Sequence, residues 1–177
     1  MSFAEYEAVL ELRRYTLHPG RRDELIELFE REFVDPQEEA GAHLFGLFRV
    51  PSSPDEFLWL RGFRSMALRK EALETFYFGP AWKEHREAAN ATMIDSDNVL
   101  LLRPVVRGLT SPPPGPELHL SLAAPSSDAF AVFETEPSPN NFPQLPVRED
   151  GPFTVSFSRS ASPSGVLLEP TTRSLLR

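Results

Sequence analysis

The sequence predicts an α+β protein in two unlike halves: strands and helices in the order β-α-β-β-α-β to about residue 104, then strands without helices to residue 177. Two observations carry this. In the first half, stretches in which apolar residues alternate with a period of two are separated by stretches in which they recur at helical spacing. After Arg103 the composition changes: 13 of the 18 prolines lie beyond it, and no window there has a helical stripe. A hydrophobic content of 41% is enough to bury a core. The expected organisation is a first domain over 1–104, a Pro-rich linker over 105–116 and a β-rich second half over 117–177.

From Ala8 to Leu17 the alternation places Leu10 and Leu12 on one face and Val9, Glu11, Arg13 and Tyr15 on the other, so this is a strand. His18-Pro19-Gly20 turns the chain, and Leu25, Ile26, Leu28, Phe29 and Phe33 form the stripe of a helix over about 21–34. A short extra turn is expected between Asp35-Pro36 and Gly41. Strands over 43–50 and 57–63, joined by PSSPDE, are close enough to be antiparallel. Ser65 is placed to cap a helix whose buried side is Leu68, Ala72 and Phe76. Gly79-Pro80 breaks that helix and starts another, in which Trp82, His85, Ala89 and Met93 recur on one side. After a polar turn at Asp95-Ser96-Asp97-Asn98, the run Val99 to Leu102 is apolar on both faces, as a central strand should be. This order is the ferredoxin-like pattern.

Thr110 to Pro116, TSPPPGP, reads as a stiff, extended connector. Strands are expected over 117–123, 129–135, 153–159 and 165–170. The gap between the first two is too short for a crossover helix, so a hairpin is the simplest joint. Four strands at this spacing suggest an echo of the first sheet with its helices removed. The loop from Glu136 to Gly151 is of a length that often carries function, with Asn140-Asn141-Phe142-Pro143 as a lid or an ordered surface turn.

A net charge of -8, with 26 acidic residues against 18 basic ones, argues against a nucleic-acid partner, which needs clustered Lys and Arg. There are no cysteines, which excludes disulfides, thiolate metal sites and cysteine nucleophiles. The start, MSFAEYEAV, lacks a basic segment and an apolar run, so no signal peptide is expected. No segment approaches the roughly 20 apolar residues of a membrane span, and a soluble, cytoplasmic protein without membrane insertion is the expectation.

A four-stranded sheet with helices on one face leaves the other face to be covered. If the all-leucine side of the strands meets the helices, the open face carries Glu11, Arg13, Tyr15, Phe57, Trp59, Arg61 and Phe63. Aromatics beside two arginines and a carboxylate suit a cavity for a small anionic, partly apolar molecule. They equally suit a wet interface in which Glu11 bridges to an arginine. His85 is the candidate acid-base residue, since its ordinary pKa lies near neutrality, with Trp82 and Arg86 beside it on the helix. A histidine packed on Trp82 and hydrogen-bonded locally is the alternative. His18, His43 and His119 show no i, i+4 pairing with one another or with His85, so no metal is expected. No phosphate loop, dinucleotide fingerprint or Gly-x-Ser-x-Gly elbow is present, and no cofactor is expected.

Gly79, Pro80, Trp82, His85, Arg86, Ala89, Asn90, Met93, Asp95, Ser96 and Val99 to Leu102, with Leu12 to Tyr15, His18 to Gly20 and Leu58 to Phe63, resemble the signature of the NIPSNAP family over roughly 8–103. The resemblance implies a ferredoxin-like fold of the dimeric α/β-barrel type, but no established reaction. Folds of that type include small-molecule monooxygenases, decarboxylases and isomerases, while animal members of the family are linked to vesicle and mitochondrial quality control. The function expected is binding of a small anionic or aromatic molecule in a sheet-lined cavity, with a cofactor-independent enzyme as one form of it. There His85 would move a proton, Arg13 and Arg61 would hold a carboxylate or enolate, and Tyr15 and Trp59 would pack a planar body. A non-catalytic interaction module is the alternative. A homodimer is expected, with the barrel closed either by the second half or by a second chain.

Overall fold

Every strand of a barrel must present one face to the interior, and here the leucine faces take that position. The computed structural model describes residues 2–177. The first half contains β1 (Val9–Leu17), α1 (Arg22–Glu32), α2 (Val34–Ala40), β2 (His43–Val50), β3 (Ser53–Phe63), α3 (Met66–Tyr77), α4 (Pro80–Ala91), a short β4 (Met93–Asp95) and β5 (Val99–Val106). The second half contains β6 (Leu118–Ser121), β7 (Ala131–Thr135), β8 (Thr154–Ser158) and β9 (Gly165–Pro170). The nine strands run in the order β3-β2-β9-β6-β8-β7-β5-β1-β4, and an additional pairing of β1 with β3 closes the circle. Eight strands therefore form a closed barrel, and β4 hangs on the end of β1.

Within the circle the first half reads β5-β1-β3-β2 and the second reads β9-β6-β8-β7. Numbered within each half, both orders are 4-1-3-2. The expected hairpin between 117–123 and 129–135 is not formed: β6 pairs with β8 and β9, and β7 with β8 and β5. The segment between β6 and β7 crosses over β8 instead, because β7 is taken as the partner of β5, where it joins the two halves. The other joint is β2 with β9.

Leu10, Leu12, Leu58, Leu60, Leu100 and Leu102 point into the barrel, where they meet Leu118, Leu120, Phe133, Phe157 and Leu168 from the second half. An eight-stranded barrel is just wide enough to be filled in this way by side chains. The assignment of faces made from the sequence is thus reversed. The leucine side fills the barrel, and the side with Glu11, Arg13, Tyr15, Trp59 and Arg61 lies outside it, under the helices. The physical reason is that the second half supplies a wholly apolar partner face, which charged groups could not enter without losing their hydration.

The helices cover only the first half. α3 is capped by the Ser65 hydroxyl, which accepts from Leu68 N at 3.1 Å, and α4 begins at Pro80. The extra turn expected after the first helix is a seven-residue helix, α2, ended by Gly41 with φ of 108°, a conformation that strains any side-chain-bearing residue. A 3-10 helix over Phe3–Ala8 leads into β1, and its Tyr6 packs against the residues that fill the barrel. There the Glu7 carboxylate accepts from Gly108 N and Leu109 N, and Tyr6 O sits so close to Gly62 that a Cβ there would lie 2.0 Å away. Among the described residues, no helix is long and apolar enough to cross a membrane.

Leu58 is fully buried in the barrel, so Leu58→Ala is expected to cost about 2–5 kcal/mol in guanidinium unfolding. Leu167→Ala, on the outer face of β9 at 36% exposure, should change stability by no more than about 0.5 kcal/mol.

Candidate functional site

The register between β1 and β3 sets the chemistry on the outer face of the barrel. Glu11 stands opposite Arg61, Arg13 opposite Trp59, and Tyr15 opposite Phe57. Helix α3 adds Arg69 from above. The Glu11 carboxylate is fully buried and accepts from three guanidiniums: Arg13 Nη1 at 2.6 Å and Arg61 Nε at 2.9 Å on Oε1, and Arg69 Nε at 2.8 Å on Oε2. Arg61 Nη2 also lies 2.9 Å from a Glu11 oxygen, but off the line of an N–H bond, so it contributes charge without a hydrogen bond. Burial alone would push the Glu11 carboxyl up. Arg61, Arg13 and Arg69 outweigh it and hold the group well below the usual carboxylate range.

The remaining donors of the cluster reach outward in three directions. Arg61 Nη1 donates to Gln37 Oε1 at 2.7 Å and to the Tyr77 hydroxyl at 3.1 Å. Arg69 Nη1 donates to the side-chain oxygens of Asn140 at 3.0 Å and Asn141 at 2.9 Å, tying down the loop between β7 and β8. Arg13 Nε donates to the Tyr15 hydroxyl at 3.0 Å. The guanidiniums of Arg13 and Arg61 also lie 5.4 and 4.9 Å from the Trp59 ring, within cation–π range. Three buried guanidiniums face a single carboxylate, so the cluster keeps an excess of positive charge.

Beside it, between the sheet, α4 and the 136–151 loop, is an open cavity of about 420 Å³. Arg13 and Tyr15 form its floor, Tyr77 and Trp82 a wall, and Phe142 of the loop packs across from them. Arg13 is 2% exposed and hydrogen-bonded through Nε and Nη1, which leaves Nη2 without a protein acceptor where the side chain borders the cavity. The hydroxyls of Tyr15 and Tyr77 each accept from an arginine, so each has its own O–H left to donate. Burial pushes the Tyr15 phenol up, although Arg13 opposes the shift, and the group stays a protonated donor at neutral pH. The floor of the cavity thus offers donors and no acceptor of comparable placement. A second, narrow space of about 20 Å³ borders Trp59 and shares Tyr15, Tyr77 and Trp82 with the first.

The residues expected from the sequence divide accordingly. Arg13, Tyr15, Trp82 and Arg86 come together around the cavity. Glu11 and Arg61 stand behind it as buried partners of Arg13, and Trp59 lines only the narrow space. His85 does not border the cavity. Its Nε2 turns the other way, 3.3 Å from Glu32 at the seam with α1, and its ring meets Phe33 edge-on. On α4, Trp82 and Arg86 project to the cavity side, and a residue three positions after Trp82 and one before Arg86 is carried round to the next helix. An acid-base role for His85 in this site is therefore not supported.

Arg69, Tyr77 and Lys83 were missed from the sequence, and Asn140-Asn141, singled out there as part of a lid or an ordered surface turn, was not foreseen as the partner of Arg69. Arg69 had a signal. With Ala72, Leu73 and Phe76 it forms the buried stripe of α3, whereas Leu68, expected there, lies at its edge. An arginine in phase with an apolar stripe needs a buried partner. A wider groove of about 570 Å³ lies on the far side, between α2 and the segment 172–177, but its charges are already matched: Arg173 with Asp35, His43 with Glu38, and Arg177 with main-chain carbonyls. Among the described residues no three His, Asp or Glu side chains are grouped to hold a metal ion.

Fold and site together define an α/β barrel closed within one chain, with a cavity between its sheet and its helices. The chain belongs to the NIPSNAP family, whose sequence model matches residues 10–107, or 98 of 177. No curated protein matches it. Among solved structures, it is similar to an uncharacterised NIPSNAP-like domain protein from Burkholderia xenovorans, at 24% identity and TM-score 0.52 over 63% of this chain and 93% of that one. A NIPSNAP family protein of unknown function from Agrobacterium tumefaciens gives 20% identity and TM-score 0.50 over 54% and 86%. A Lactobacillus acidophilus protein provisionally described as a monooxygenase is similar over 92% of this chain and 93% of its own, at 10% identity and TM-score 0.52. These are likenesses of fold. The first two cover little more than half of this chain, and the third nearly all of it.

Glu11→Gln removes the one carboxylate from among three buried guanidiniums and is expected to destabilise the protein by about 3–5 kcal/mol in chemical denaturation. Because the folded-state pKa of Glu11 is depressed, its contribution is complete above the unfolded-state value of about 4.3 and is lost as pH falls below it. Stability measured from pH 6 downwards should fall more steeply in the wild type than in Glu11→Gln.

Proposed function

We propose that this protein binds a small organic anion with a planar apolar body in the cavity between sheet and helices. The observation that carries the reading is the floor of donors: Arg13 Nη2 and the hydroxyls of Tyr15 and Tyr77, backed by a cluster with more guanidiniums than carboxylates. A carboxylate or an enolate oxygen answers all three, and the rings of Trp82, Tyr77 and Phe142 suit the flat body attached to it. Charge-assisted hydrogen bonds to an ionised oxygen are about twice as strong as neutral ones, and they gain further where water is excluded.

If the site is catalytic, its contribution is stabilisation of a developing oxyanion by fixed donors, which suits a cofactor-independent reaction through an enolate. His85 has no part in it, and Asp97 is the one acidic side chain on the lining. Fold alone does not select among reaction classes, so the likeness to a provisional monooxygenase is compatible with this reading and no more. We also read each half as a ferredoxin-like unit, the second without helices, on the strength of the shared strand order. Barrel closure does not itself require the homodimer expected from the sequence.

Titration calorimetry with benzoate, a minimal planar anion, tests the site. Wild type should bind it. Tyr15→Phe should weaken binding by about 0.5–1.5 kcal/mol, a few-fold to about tenfold. Arg13→Lys should weaken it more, because one ammonium cannot serve Glu11, Tyr15 and a ligand together. Unchanged affinity in both variants would place the anion elsewhere. A wild type that takes up no planar carboxylate would sink the reading and leave the non-catalytic interaction module standing.

A further inference from the structure

The donors described above account for the floor of the cavity but not for its mouth. Lys83, Arg86 and Asn90 lie at i, i+3 and i+7 on α4, so they share one face of the helix, and all three border the cavity. All three are exposed. Neither cation has a carboxylate partner among the described residues. Several cations elsewhere are paired: Arg14 with Glu56, Arg31 with Glu27 and Glu32, and Lys70 with Glu74. Asp97 is the only acidic residue on the lining, against Arg13, Lys83 and Arg86. In a chain of net charge -8, the lining of this opening carries three cations against one acid. Cations gathered at the mouth of a low-dielectric cleft focus the field there and draw in anions.

We propose that the ligand is a dianion: a planar molecule whose inner carboxylate or enolate meets Arg13, Tyr15 and Tyr77, and whose outer end carries a second carboxylate held by Lys83 and Arg86. This inference rests on the anion-binding reading and adds a second charge to it. The two ends are read differently. The inner oxygen meets a buried guanidinium fixed by Glu11, whereas the outer carboxylate meets two exposed side chains with Asn90 beside them as a further donor. A molecule with one acidic group leaves the outer pair unused.

The test compares benzoate with terephthalate, the same ring with a second carboxylate at the far end, by calorimetry on wild type and on Lys83→Gln/Arg86→Gln. Both replaced residues are exposed, so the variant should fold, which its thermal melt will check. Wild type is expected to bind terephthalate about tenfold more tightly than benzoate, the scale of one charge-assisted hydrogen bond. In the variant that preference should vanish, because terephthalate loses the contacts of its outer carboxylate whereas benzoate loses only the weaker long-range attraction of the two cations. Equal affinity for the two in wild type, or a preference that survives in the variant, overturns the dianion proposal but leaves the anion site intact. Failure of wild type to bind either compound overturns both.

Discussion

The barrel must be filled, and that requirement places everything else. Eight strands enclose a space that only side chains occupy, and the strands of the second half present apolar groups to it, with Phe133 and Phe157 the largest. Any charged residue on an inward position would be stripped of water with nothing to replace it. The leucine faces of β1, β3 and β5 therefore turn inward, and by the two-residue period of a strand Glu11, Arg13 and Arg61 must turn outward. Outward means under the helices, where α2 and α3 can supply Gln37, Tyr77 and Arg69 as partners. The cavity lies in this outer layer because polar groups are admissible there.

Within that layer, the Glu11 cluster is a poor device for stability. A buried ion pair roughly breaks even with apolar residues of similar volume, and three guanidiniums on one carboxylate do worse than break even. Under the reading proposed here the excess has a use, since an anion in the adjoining cavity meets charge that the fold leaves unmatched. Arg69 extends the same network to the loop between β7 and β8 through Asn140 and Asn141. That loop packs Phe142, 2% exposed, against the first-half core. The second half thus contributes a wall to a site whose polar floor belongs to the first.

Much of the architecture was legible because periodicity is a local property. The strands over 43–50 and 99–102, the Ser65 cap and the Gly79-Pro80 break follow from residues a few positions apart. What was not legible required knowing which element meets which. The faces of β1 and β3 were separated correctly but assigned the wrong way round, since both sides were equally capable of burial and only the apolar second half decided between them. The same ambiguity misplaced the joint between β6 and β7, whose short spacing suited a hairpin until β5 took β7 as its partner. His85 failed for a smaller reason: helical spacing groups it with Trp82, yet the 100° step between neighbours leaves it facing Glu32. Arg69 left a trace, a charge lying in phase with its helix's apolar stripe.

Closure of the barrel within a single polypeptide also changes its mass action. Two separate units with the 4-1-3-2 order would form such a barrel only above some concentration, and each would have to keep every residue the pairing needs. With both in one chain, joined at β5–β7 and β2–β9, the assembly does not come apart on dilution. The two units are then released from having to be alike. One can keep four helices and a polar layer while the other, bare of helices, is reduced to the loop between β7 and β8 and the apolar staves that hold the barrel shut.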